Sequence, residues 1–191
     1  MFIELPYNRT RAVRYALRWA LERNPLFSDF TGIGGDCTNF VSQCVYAGAC
    51  VMNDLPTFGW YYFSVNDRAP AWTGVEFFYY FMTGNDGVGP YAIETENDIR
   101  LGDVVQLGDE TGDFYHTLLI TGFSTEGYLV SAHSDDSRNR PLYTYRYDRI
   151  RFLHIAGVRV NLTDGYPGRP DLYPLRVGGR AGLMVSGRWT E

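Results

Sequence analysis

The sequence predicts an α+β fold in which N-terminal helices pack on a C-terminal antiparallel β-sheet. Two observations point there. In the first half the apolar residues recur at spacings of three and four, as in Val13, Ala16, Leu17, Ala20 and Leu21. In the second half they alternate with a period of two, in short segments separated by turns such as Gly108-Asp109-Glu110-Thr111-Gly112-Asp113.

The first element is a helix over about 8–23, capped by Asn8 and ended by Asn24-Pro25, with its arginines outside and Tyr15 and Trp19 widening the buried stripe. A second helix opens at Cys37, behind the glycine turn Gly34-Gly35 and the capping residue Asp36, and runs through Phe40, Val41, Cys44 and Val45 until Gly48. A loop-rich stretch over 48–72 follows, containing Trp60-Tyr61-Tyr62-Phe63 and Trp72. Thr73 and Glu76 then have the spacing of a capping box before a short aromatic helix closed by Thr83-Gly84-Asn85. Strands are expected at 103–107, 115–121, 127–133 and 151–155. From about 157 the pattern fades into Pro, Gly and Arg, so the chain divides into a domain over 1–156 and a loosely attached tail over 157–191.

Composition narrows the function. The length of 191 residues and 45% hydrophobic content suit one domain with a buried core. A formal net charge of −5 without long charged runs offers no footprint for nucleic acid or an anionic membrane. All 17 basic residues are arginine, which removes Schiff-base chemistry with pyridoxal phosphate and P-loop phosphate binding, and no cofactor is expected. Cysteines at 37, 44 and 50 have neither the count nor the spacing of a disulfide framework or a zinc site. No apolar run approaches the roughly 18 residues of a membrane-spanning helix, and the N-terminus lacks the pattern of a signal peptide. The residues select no compartment and no oligomeric state.

The chemistry gathers at Gly34-Gly35-Asp36-Cys37-Thr38-Asn39-Phe40-Val41-Ser42-Gln43. The unpaired N–H groups and positive dipole end of a helix stabilise a thiolate, and the same N–H groups can cradle an oxyanion. A cysteine nucleophile needs a base, and only His116, His133 and His154 are available. His116 heads the strongly apolar segment Phe114-Tyr115-His116-Thr117-Leu118-Leu119-Ile120-Thr121, where a core strand would place a hydrophobe. His133 closes the next strand on the same face as Leu129 and Ser131; it either orients the His116 ring or is a strand-end residue bonded in the turn Ser134-Asp135-Asp136-Ser137. His154 reads as a core histidine.

The cysteine stretch, Tyr7-Asn8-Arg9 with its helix, Trp72-Thr73-Gly74-Val75 and Gly102-Asp103-Val104-Val105-Gln106 occur in order with His116-Thr117-Leu118, Ser131-Ala132-His133-Ser134 and Asn139-Arg140-Pro141-Leu142. Over about residues 5–156 the chain resembles the bacterial putative amidase domain family, and through it the papain-like cysteine peptidases and amidohydrolases that include bacterial cell-wall endopeptidases. The resemblance implies a papain-like fold with Cys37 as nucleophile and His116 as base. It makes His133 the orienting residue, with Ser131 on the same face in reserve; should His133 lie elsewhere, Ser131 or Asp135 takes its role. It implies a cysteine-dependent amidohydrolase or peptidase acting through an acyl-enzyme on peptidoglycan or related peptides, and is compatible with the cell envelope or secretion while leaving the compartment open. Asp36, Asn39, Trp60 and Trp72 are the candidate binding residues. Two other uses of the fold are an acyl transferase and a non-catalytic cell-wall binding module with Trp60 and Trp72 as cleft walls.

Alternation places His116, Leu118 and Ile120 on one face, so the cysteine helix is expected to cover that face and to bring Cys37 within roughly 4 Å of a His116 ring nitrogen.

Overall fold

The computed structural model describes residues 2–161 and, beyond them, 176–177, 180–181, 184–185 and 188–189. The chain runs β1 (Phe2–Leu5), α1 (Arg9–Trp19), α2 (Cys37–Ala49), β2 (Tyr62–Ser64), β3 (Asp67–Arg68), α3 (Pro70–Thr73), α4 (Val75–Gly84) and β4 (Gly89–Glu94). It continues through β5 (Val104–Gly108), β6 (Phe114–Ser124), β7 (Gly127–Ala132), β8 (Ser137–Pro141), a 3-10 turn at Leu142–Thr144 and β9 (Arg149–Asn161). Of the stretch over 157–191, residues 157–161 complete β9, and two small hairpins are described beyond them, β10 (Arg176–Val177) with β11 (Arg180–Ala181) and β12 (Met184–Val185) with β13 (Arg188–Trp189). The expectation of a loosely attached tail otherwise falls outside the described residues.

The fold is mixed α+β, built on a seven-stranded antiparallel sheet ordered β1-β9-β5-β6-β7-β8, with β4 also paired to β9. Its long strand β9 meets β5 along 149–153, β4 along 153–159 and β1 along 158–161. The expected boundary at 156/157 therefore falls inside a strand, and Val158 and Val160 beyond it are buried. Strands β1, β4 and β8 carry no clean apolar alternation. The edge strand β8, Ser-Arg-Asn-Arg-Pro, is held by pairing with β7 rather than by its own pattern.

Successive residues of each central strand serve two cores. Val104, Leu119, Leu153 and Ile155 join the helices in the main core, while Val105, Leu107, Leu118, Ile120, Val130 and Ala132 form a smaller core closed by Leu142. Helix α1 is capped by the Asn8 side chain, which accepts from the Arg11 N–H at 3.0 Å. It is shorter than its periodicity suggests, and its buried stripe is Ala12, Tyr15, Ala16 and Ala20 while Leu21 is exposed. Every residue of α2 is buried. Gly48 makes this possible, because a Cβ there would lie 2.2 Å from the Tyr7 ring where the segment preceding α1 crosses α2. The Thr73–Glu76 capping box does not form: Thr73 ends α3, and Gly74 precedes α4 without a side-chain cap.

Candidate active site

The turn before Cys37 is shaped by two glycines in the left-handed region, Gly34 at φ 92° and Gly35 at φ 99°. Asp36 follows, and its side chain does not cap the helix. Instead its fully buried carboxylate accepts the Phe30 N–H (3.1 Å) and the Asn39 side-chain amide (2.7 Å) on Oδ1. Its Oδ2 lies 2.6 Å from His133 Nδ1 in a hydrogen bond and pairs with Arg23 Nε at 3.1 Å. The Asp36 N–H donates to Ser134 Oγ at 2.9 Å. Residues on three separate segments thus fix the backbone one position before Cys37. The first-turn N–H groups of α2, at the positive end of the helix, receive no cap from the Asp36 side chain.

Cys37 and His116 line one open cleft of about 400 Å³ together with Gly34, Gly35, Tyr115, Ser134, Asp135 and Tyr145. Helix α2 reaches β6 through a hydrogen bond between the hydroxyls of Thr38 and Thr117, 2.9 Å apart, one residue along from Cys37 and from His116. Thr117 also accepts from the Gln106 amide at 3.2 Å. The helix therefore covers the Thr117 and Leu119 side of β6, not the Leu118 and Ile120 side expected from alternation. His116, paired across to Leu107 near the start of β6, meets Cys37 at the end of the sheet. Cys37 Sγ lies 3.8 Å from Thr38 Oγ1, and no hydrogen bond joins it to His116.

Burial pushes the His116 imidazole down to about 4; the Asp135 carboxylate opposes this shift and the Arg140 guanidinium reinforces it. At neutral pH the ring is uncharged and holds a lone pair able to accept a proton. Among the described residues none hydrogen-bonds to it; the Tyr145 ring lies beside it, centroids 5.9 Å apart.

His133 has a different place from the one expected. Its Nδ1 lies 2.6 Å from Asp36 Oδ2 and its Nε2 2.8 Å from the Trp19 carbonyl oxygen, and the ring stacks on Phe40 at 4.0 Å. Both ring nitrogens are committed, so it does not orient His116. Ser131 is likewise taken, by Thr121 Oγ1 (3.0 Å) and the Asn139 N–H (3.1 Å). Asp135 does line the cleft, but its carboxylate is largely exposed and pairs with Arg140 at 3.5 Å.

Asp36, Asn39, Trp60 and Trp72 are architectural rather than ligand-facing. Trp60 and Trp72 are fully buried, donating their indole N–H to Ser42 Oγ (3.0 Å) and Asn39 Oδ1 (2.9 Å), while the Asn39 amide reaches the Ser28 carbonyl and Asp36. Large indole rings in a loop-rich stretch resemble cleft walls in sequence; only packing tells them from core. His154 bonds Asp103 at 2.9 Å, within a buried cluster that includes Arg9. Cys44 and Cys50 are buried and form no disulfide, and burial pushes the Cys44 thiol well up. Tyr115 and Tyr145 were not singled out as site residues by sequence pattern, since neither belongs to a spacing that marks chemistry. Among the described residues no group of three or more His, Cys, Asp or Glu is placed to hold a metal, and no helix is long and apolar enough to cross a membrane.

Residues 6–156 match the family model of the putative amidase domain. The chain belongs to that family. Within curated proteins, this putative amidase domain is similar to the uncharacterized protein YhbB of Bacillus subtilis (strain 168), 30% identical over 139 residues that make up 70% of this chain and 43% of YhbB. It is also similar to the uncharacterized protein YjcM of the same organism, 27% identical over 144 residues, 71% of this chain and 32% of YjcM. The chain thus spans less than half the length of these curated relatives. No solved structure matches it significantly.

Proposed function

We propose that this putative amidase domain is a cysteine-dependent amidohydrolase of papain-like type that cleaves amide bonds in peptidoglycan or related peptides. The observation that carries the reading is the shared cleft, in which a cysteine at an uncapped helix N-terminus and a neutral, water-shielded histidine at a strand start line the same surface.

The chemistry follows from these groups. His116 takes the Cys37 thiol proton as Sγ bonds to the amide carbon, and the first-turn N–H groups of α2 hold the carbonyl oxygen as it becomes an oxyanion. The oxyanion collapses, the C–N bond breaks, and the proton on His116 passes to the leaving amine. Water then attacks the thioester carbon, giving one proton to His116; the C–S bond breaks, the carboxylic acid product leaves, and the proton on His116 returns to Cys37 Sγ. Hydrogen bonds at ligand-free catalytic sites are often long and tighten on substrate binding, which accommodates the absence of a Cys37–His116 bond. Peptidoglycan as substrate rests on the resemblance of the motifs to those of cell-wall enzymes.

Mass spectrometry of peptidoglycan fragments after incubation tests the reading. New termini at an amide bond are expected, and Cys37→Ala should abolish them while leaving the melting temperature within a few degrees. Iodoacetamide should label Cys37 ahead of Cys44 and Cys50. Equal labelling of the three thiols, or hydrolysis persisting in Cys37→Ala, would remove Cys37 as nucleophile. A binding module with tryptophan walls is disfavoured by the complete burial of Trp60 and Trp72.

A further inference from the structure

The groups expected to steer the His116 ring are committed elsewhere or point to solvent, yet a general base must be held within reach of the thiol to work. One cleft residue is built to hold it. Tyr145 lies against the imidazole with centroids 5.9 Å apart and ring planes at 38°. Tyr145 is itself fixed from two sides: its hydroxyl shares a 2.7 Å hydrogen bond with Ser137 Oγ, and the Arg140 guanidinium lies 4.0 Å over its ring. Arg140 is in turn tied to Thr144, through Oγ1 at 2.8 Å and the carbonyl at 3.1 Å, and pairs with Asp135 at the cleft edge. A short stretch of chain, the β8 strand and its 3-10 turn, thus ends in a rigid aromatic plate beside the histidine.

We infer that Tyr145 is the positioning residue of this site, holding the His116 imidazole by packing in place of a hydrogen-bonded polar side chain. The inference rests on the reading of Cys37 and His116 as nucleophile and base. A ring locked by Ser137 and Arg140 restricts the imidazole without consuming either of its nitrogens, so one remains free to take the thiol proton and return it to the leaving amine. It also keeps water from the imidazole. Of the groups lining the cleft or acting on His116, Asp135 favours the charged ring and Arg140 opposes it, and Cys37, Ser134, Tyr115 and Tyr145 complete the lining. What Tyr145 contributes is therefore shape and exclusion of water.

The test is an NMR titration of the His116 ring, paired with hydrolysis of purified peptidoglycan stem peptides. Wild type should titrate near pH 4; Tyr145→Phe, which keeps the ring under Arg140 but gives up the Ser137 bond, should stay closer to wild type than Tyr145→Ala, whose midpoint should move toward 6.5 as water reaches the imidazole. In the same variant kcat should fall by about 10- to 100-fold with KM within about twofold, because the base is misplaced and binding is not. Tyr145→Gln, of similar reach but hydrated, replaces the alanine variant should that one fail to fold. A midpoint still near 4 in Tyr145→Ala, or a Tyr145→Phe variant as impaired as Tyr145→Ala, overturns the inference. Cys37→Ala separates the two failures. Hydrolysis that persists in it removes the underlying reading, while hydrolysis that requires Cys37 yet ignores Tyr145→Ala removes the role of Tyr145 alone.

Discussion

The hydroxyls of Thr38 and Thr117 lie 2.9 Å apart and fully buried, joining the first turn of α2 to the start of β6 one residue from Cys37 and one from His116. Because Thr117 also accepts from Gln106, its replacement strands two polar partners in the core. Thr117→Val should therefore lower unfolding free energy by about 1–3 kcal/mol, measured by urea denaturation. It should also reduce hydrolysis more than the stability loss explains, since it frees the helix start relative to the base's strand. Unchanged activity per folded molecule would detach this clamp from the chemistry.

Stability should depend on pH through His116. Its folded-state value near 4 lies below the ordinary 6.5, so the unfolded chain takes up the proton first as pH falls. The contribution is fully present above pH 6.5 and is lost as pH falls from 6.5 through about 4, for a total on the order of 3 kcal/mol. Urea midpoints of wild type and His116→Gln across this window check it. The slope should be shallower in the variant, and equal slopes would mean that the imidazole is not shielded.

His133→Ala should destabilise the fold by about 3–5 kcal/mol, because it removes a 2.6 Å partner from a buried carboxylate and a ring stacked on Phe40. Thermal unfolding checks the magnitude. A His133→Ala protein as stable as wild type but inactive would return His133 to a catalytic part.

Chain length offers another test. A chain ending at Asn161 retains all seven strands of the main sheet and should unfold cooperatively. Ending at Val158 removes the residues facing Phe2, Ile3 and Glu4, buries one fewer valine, and deletes the Arg159 bond to the Asn85 carbonyl (2.6 Å). The shorter chain should lose about 2–4 kcal/mol by chemical denaturation. Equal stability of the two chains would place the domain boundary back at 156/157.

Trp60 and Trp72 contribute to the same core that supports α2, their rings 4.9 Å apart. Replacing either with alanine should cost about 3–5 kcal/mol, seen as a lowered melting temperature, without a selective change in substrate affinity. A stable Trp72→Ala variant with weakened peptide binding would restore the tryptophan to a cleft wall.

By itself the sequence determined what depends on neighbours along the chain. The 3.6-residue and two-residue periods marked α1, α2, α4, β5, β6, β7 and part of β9, because burial on one side imposes those periods. Gly34-Gly35 before an apolar run marked a helix starting at Cys37, and three histidines left a short list of bases. Tertiary structure alone decided the rest. Strands β1, β4 and β8 exist because β9 and β7 offer them unpaired backbone, a condition that no local pattern reports. Alternation along β6 assigned α2 to the Leu118 and Ile120 face, but both faces are apolar, and α2 packs on the opposite one, where Thr38 meets Thr117. The partners of His133 and Asp36 were equally invisible. A buried acid and a buried base 97 residues apart find each other because neither can remain unpaired out of water, and where they meet is fixed only when the helix, the glycine turn and the β7–β8 turn have packed together.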